Sequence, residues 1–338
     1  MKKIKKVNAL ARALQYFFYD HLSNLRSMSP NTIHSYRDTF ILLLEFVASQ
    51  KKRPVAELDI EQLNEEQITT FLQMLEDKRK NKASTRNIRL AAIHCFFRYL
   101  AGKHPEKLEH CQRILAIPFK RTNSRAIEYL DYDEIKSILK TINRNSEDGK
   151  RDYILLVTMF NTGARVQEIL DLRLCDLQLI KPYQLRLIGK GRKERVCPLW
   201  PQTAKLLQEL ITIYGTAQKE ERVFLNHRKQ PLTRYGVRYL LKKYCDLARK
   251  NTPTLLGKRL HPHSMRHSTA VHLLKSGVDM VTISHWLGHA NINTTHRYAS
   301  VDLDMKREAI NKAALDVDGK YEASWRTNPA LLKMLKSL

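Results

Sequence analysis

His261-Pro-His-Ser-Met-Arg266-His267 is the stretch on which the reading of the fold turns. Pro262 suits the first turn of a helix. A helix starting there sets His263 and Arg266 at i and i+3, on one face and aimed at one target. Outward from it lie Thr162-Gly-Ala-Arg165-Val-Gln-Glu168-Ile, Gly189-Lys190-Gly-Arg-Lys-Glu-Arg-Val, Leu287-Gly-His289 and Thr295-His-Arg-Tyr298. A phosphodiester is a poor electrophile because its anionic oxygens repel nucleophiles. Two guanidinium forks, here Arg165 and Arg266, can neutralise that charge and stabilise the more negative transition state. His289, after a Leu-Gly turn, can add a hydrogen bond to the same group. Glu168 is expected to orient Arg165 or a nearby backbone group, with an exposed helical glutamate as the plainer alternative.

The whole chain points the same way. Its 338 residues suffice for two domains with their own cores. Lys and Arg total 59 against 34 acidic residues, a formal charge of +25, which favours a polyanionic partner. Divided after residue 125, the two parts carry +11 and +14, so both are expected to touch nucleic acid. Cys95, Cys111, Cys175, Cys197 and Cys245 form no Cys-x-x-Cys pair and read as reduced thiols. Gly189-Lys-Gly lacks the spacing of a nucleotide-binding loop. Arginines within the histidine motifs would repel a cation. No cofactor and no metal is therefore expected. No apolar run approaches a membrane span, so a cytoplasmic, DNA-associated protein is expected.

Helical periodicity dominates the first part. Ser29-Pro-Asn-Thr, Asn64-Glu-Glu-Gln and Ser84-Thr-Arg-Asn read as helix starts, and Ala9–Leu25 as a further helix. Beyond it, helices resume at Tyr132–Ile142 and Arg151–Phe160, and strands are expected near Asp176–Ile180, Gln184–Ile188 and Arg195–Leu199. The expected fold is mainly α with a small antiparallel β-sheet: an all-α domain over 1–116, a basic linker over 117–126, a mixed α+β domain over 127–301 and a tail helix within 302–338. The apolar positions Leu331, Leu332, Met334, Leu335 and Leu338 of that tail need a groove to bury them.

Order, spacing and context of these motifs resemble the tyrosine recombinase family of site-specific DNA recombinases, the phage integrase and Xer-like enzymes. Ser29-x-x-Thr-x-x-x-Tyr36, Ser84-Thr-Arg86 and Phe96-Phe-Arg-Tyr99 resemble that family's SAM-like core-binding domain. The resemblance implies that Tyr298 is the nucleophile, forming a 3′-phosphotyrosine, and that Lys190 is the general acid for the leaving 5′ oxygen, Lys193 being its rival in the same turn. The linker's charge suggests that Lys120 and Arg121 lie along the DNA backbone. The resemblance assigns the phosphate to Arg165, His263, Arg266 and His289, and tips Arg86 and Arg89 toward DNA contact. It further implies a duplex site with inverted repeats, a homotetramer exchanging C-terminal helices, and strand exchange through a Holliday junction. A second recombinase or accessory protein stays open as a partner.

Residues 1–28 are too few for a separate arm-binding domain, and the tail is longer than in compact resolvases, which favours a recombinase of a bacterial mobile element. His267 is expected to brace its helix as a core histidine. His296 is a weaker rival for a role on the phenol. The alternatives in function are a type IB topoisomerase-like enzyme and a catalytically silent DNA-binding architectural protein.

Overall fold

The structure, a computed structural model, describes residues 8–122, 127–215 and 219–289 together with Thr295 and Tyr298; Lys190 is placed by its backbone. The expected tail helix and His296 lie outside the described residues. The chain divides into two compact units, 1–124 and 125–338. Among the described residues no helix is long and apolar enough to cross a membrane.

The first unit is all helix: α1 (Ala9–Tyr16), which runs on as π-helical turns over Phe17–Leu25, α2 (Pro30–Lys51), α3 (Glu65–Asp77), α4 (Ala83–Lys103) and α5 (Leu108–Leu115). Polar caps set the starts. Asn8 Oδ1 accepts from the Ala11 amide at 2.7 Å and Asn64 Oδ1 from the Gln67 amide at 2.9 Å. Ser29 Oγ accepts from the Thr32 amide at 3.3 Å with Pro30 in the first turn. Helix α4 packs against α2, α3 and α5. At its centre Phe96 meets Phe17 and Phe40 edge-on, with ring centroids 5.3 and 5.2 Å apart, the arrangement that aromatic quadrupoles favour.

Much of the stretch expected as linker is anchored to this unit. Ile117 is buried in its core. The Asn87 side-chain amide donates to Lys120 O at 2.7 Å and accepts from Lys120 N at 3.0 Å, so it satisfies both backbone groups of that residue.

The second unit holds α6 (Tyr132–Lys140), α7 (Glu147–Thr162), α8 (Val166–Asp171), α9 (Pro201–Tyr214), α10 (Arg234–Ala248), α11 (Pro262–Lys275) and α12 (Met280–Leu287) around a small sheet. Strands β1 (Leu177–Gln178), β2 (Gln184–Ile188) and β3 (Glu194–Pro198) pair antiparallel in the order β1-β2-β3. Leu185 faces Cys197 and Leu187 faces Arg195. The first strand is shorter than expected, pairing only through Leu177 and Gln178. Thr269 Oγ1 of α11 donates to Phe160 O of α7 at 2.7 Å. Buried Asp152 of α7 accepts from Tyr244 Oη at 2.7 Å and from Arg151. These bonds lock α7, α10 and α11 into one frame.

Because Phe96 has no exposed surface and contacts three aromatic rings, Phe96→Ala is expected to destabilise the first unit by about 3–5 kcal/mol. Denaturant unfolding of the variant against wild type measures it.

Candidate active site

Three turns converge on the end of α12. The first closes α7 at Gly163, whose φ of +59° is left-handed. A Cβ there would lie 2.6 Å from Leu287 Cδ2 and 3.1 Å from Thr269 Cγ2, so glycine is required both for the turn and for the approach of α11 and α12. Arg165 follows as the residue preceding α8. The second turn, Gly288 with φ +63°, ends α12. The third is the β2–β3 hairpin, closed by Gly189 N donating to Lys193 O at 2.8 Å.

The last carbonyls of a helix have no intrahelical donors. Here they take arginines. Arg195 Nε donates to Trp286 O at 2.9 Å, Arg266 Nη2 to Leu287 O at 2.6 Å and Arg165 Nη2 to Gly288 O at 3.3 Å. Arg266 Nη1 also donates to Gly163 O at 2.8 Å. One carboxylate ties the group together. Buried Glu168 accepts from the Arg165 amide and Arg165 Nη1, both at 2.8 Å, and from Arg195 Nη2 at 2.6 Å. Burial alone would raise its pKa, but the Arg195 and Arg165 bonds outweigh it and hold Glu168 below the ordinary carboxylate range. These bonds fix both the backbone and the guanidinium of Arg165.

Arg266 is 4 % exposed. Burial, then repulsion from Arg165, brings its pKa down to about 10, so it stays charged at neutral pH. Arg165 keeps a third of its side chain open to solvent. Burial and the Arg266 and Arg165 charges push His289 down to about 4, and its Nδ1 lies 2.7 Å from Thr295 Oγ1. His263 sits in the first turn of α11. Partial burial, His261 and the same two arginines lower its pKa as well. Both imidazoles are neutral hydrogen-bonding groups near pH 7, and the positive charge resides on the arginines. The structure thus gathers Arg165, His263, Arg266 and His289 around one point.

Lys190 stands in the hairpin turn, and only its backbone locates it. The preceding Gly189 is so close that a Cβ on it would lie 3.1 Å from Glu168 Oε1 and 3.6 Å from Arg195 Nη1, so the turn begins beside the cluster. Tyr298 is 2 % exposed, set among Ala270, Val271, Leu274, Ile283 and Leu287. Its ring lies nearly parallel to that of His289, at 15° and 6.4 Å. Its hydroxyl is 2.9 Å from His267 Nδ1. His267 is therefore more than the helix brace expected of it: α11 turns its imidazole toward the phenol.

Arg195 was not among the expected site residues. Its signal is in the strand alternation. Arg195 and Cys197 share the inward face of β3, opposite Leu187 and Leu185, while Val196 between them is exposed. An arginine at a core position needs buried acceptors.

In the first unit Arg86 and Arg89 make internal bonds. Arg86 is buried and donates through Nη1 to Pro118 O at 2.9 Å; Arg89 donates to Ser35 O and Thr39 Oγ1, both at 3.0 Å. Both brace the unit through these bonds, Arg86 from a buried position and Arg89 from a half-buried one. Arg86, Leu90, Ile93 and Phe97 fall on one stripe of α4, so helical spacing itself carries Arg86 into the core. Lys120 pairs with Glu76 at 2.6 Å, and Arg121 is exposed.

Comparison with known proteins shows the family. The family model for the phage integrase family matches residues 128–304, and that for the phage integrase N-terminal SAM-like domain matches 17–104. The chain is 37 % identical over 332 residues to the putative integrase/recombinase y4rC of Sinorhizobium fredii, covering 98 % of each. It is 31 % identical over 291 residues to the tyrosine recombinase XerC of Roseiflexus castenholzii, covering 84 % of this chain and 88 % of that one. In fold it resembles the XerH site-specific recombinase bound to a palindromic difH substrate in a post-cleavage complex. The TM-score is 0.67 at 21 % identity, covering 84 % of this chain and 80 % of the other.

Glu168→Gln removes the one carboxylate that, among the described residues, pairs with Arg165 and the largely buried Arg195 side chain, and is expected to cost about 3–5 kcal/mol. Since the folded state lowers the pKa of Glu168, its stabilisation is complete above the ordinary carboxylate range and fades as pH falls through the lowered value. Unfolding midpoints measured down an acid series should therefore converge for wild type and variant.

Proposed function

The chain belongs to the phage integrase family of tyrosine recombinases, DNA strand-exchange enzymes, and on that premise we propose that it cleaves and rejoins duplex DNA at a site of inverted repeats with Tyr298 as nucleophile. The observation that carries the reading is the arginine cluster: three guanidiniums bond the carbonyls at one helix end, and among the described residues one carboxylate, Glu168, bonds two of them. That positive excess suits a scissile phosphate, the anion that completes it.

Arg165 and Arg266 hold the nonbridging oxygens, and His263 and His289 add neutral hydrogen bonds to them. The Tyr298 oxygen attacks phosphorus, forming the 3′-phosphotyrosine as the bond to the 5′ oxygen breaks, and Lys190 protonates that oxygen. The phosphotyrosine conserves the phosphoester bond, so religation needs no ATP. The exposed face of α10 is the groove-reading surface on this reading. It presents Arg234, Arg238 and Lys242 around Tyr235 and Tyr239, which are 80 % and 66 % exposed, a basic and aromatic set suited to DNA. Lys120 and Arg121 run along the backbone.

Strand exchange then proceeds on two synapsed duplexes in a homotetramer joined by C-terminal helices, through a Holliday junction, with integration and excision of a bacterial mobile element as the biological setting. An accessory partner would set direction.

Covalent capture on nicked DNA bearing sites from the flanks of the gene tests the reading. Wild type is expected to give an SDS-resistant adduct and Tyr298→Phe none. An adduct that persists in Tyr298→Phe would overturn it.

A further inference from the structure

We propose that His267 is the base that takes the phenolic proton from Tyr298, an assignment that rests on Tyr298 being the nucleophile. Three polar residues share one face of α11: His263, Arg266 and His267, at i, i+3 and i+4. The Tyr298 ring fills an apolar pocket of α11 and α12, where a phenolate would be costly. Its hydroxyl emerges at the His267 end of the shared face, 2.9 Å from Nδ1 and within the reach of a general base. His289 is differently placed. Its ring lies nearly parallel to the phenol ring with centroids 6.4 Å apart, and its Nδ1 is engaged by Thr295.

In the forward step the Tyr298 oxygen bonds to phosphorus and its proton passes to Nδ1 of an imidazole protonated at Nε2. The electron pair of the broken P–O bond leaves with the 5′ oxygen, which takes a proton from its own acid. In religation the imidazolium returns its proton to Tyr298. Acid and base are then separate groups, Lys190 in the hairpin and His267 on α11.

The separation can be read from adduct formation on two nicked substrates, one with the natural 5′ oxygen and one with a 5′-bridging sulfur, a leaving group that needs no proton. His267→Asn keeps an acceptor near Nδ1 but cannot take the proton. It is expected to bind DNA as wild type does and to form adduct about 100-fold more slowly on both substrates. Free imidazole is expected to restore His267→Ala, and Lys190→Ala should recover on the sulfur substrate alone. Adduct formation by His267→Asn at the wild-type rate or faster would overturn the proposal. So would loss of DNA binding in both His267 variants, which would make the residue a structural brace. A wild-type protein without adduct, or a Tyr298→Phe variant with one, would refute the nucleophile on which the proposal stands.

Discussion

The carbonyl oxygens of Trp286, Leu287 and Gly288, left without intrahelical donors at the end of α12, receive Arg195, Arg266 and Arg165 in turn. A helix C-terminus carries partial negative charge, and cations settle there. Here the cations come from β3, α11 and the start of α8, so one helix end registers three separate elements against each other. The glycines at 163 and 288 follow from this convergence. Gly163 lets α7 end hard against Leu287 and Thr269, and at Gly288 an added Cβ would lie 3.1 Å from Arg195. The Asp279 cap, accepting from the Val281 and Thr282 amides at 2.9 Å, fixes the other end of α12.

Charge completes the design. Glu168 offsets part of the cluster and holds two of its arginines in place, while burial first, and then neighbouring positive charge, drives His289 and His263 toward their neutral forms. The result is a site whose excess positive charge cannot move and whose imidazoles offer neutral hydrogen bonds. Preorganised charge of this kind favours an anion whose own charge grows during reaction. Burial of Tyr298 beside it keeps that phenol close to the cluster and sheltered from water.

How much of this was legible in the sequence depended on whether a residue's role was local. The i, i+3 pair of His263 and Arg266, the capping relation of Arg165 and Glu168, and the helix starts at Ser29 and Asn64 all follow from spacing. Arg195 did not stand out, because its meaning appears only once the register sets it on the inward face opposite Leu187. Arg86 shows the opposite case: it continues the apolar stripe of Leu90 and Ile93, and that stripe, not its basic character, places it in the core. His267 lies next to Arg266 in sequence, but the hydroxyl it meets belongs to a residue 31 positions later, and no local pattern reports that contact.

Arg165 and Arg266 are proposed to act by neutralising the nonbridging charge of a scissile phosphate. The most direct measurement is the rate of adduct formation by wild type, Arg165→Ala and Arg266→Ala on nicked DNA, with either the natural phosphate or a neutral methylphosphonate at the cleavage position. The account predicts losses of about 100-fold or more on the phosphate for each variant, shrinking sharply on the methylphosphonate. Equal losses on the two substrates would contradict it, because the arginines would then be serving the fold rather than the charge.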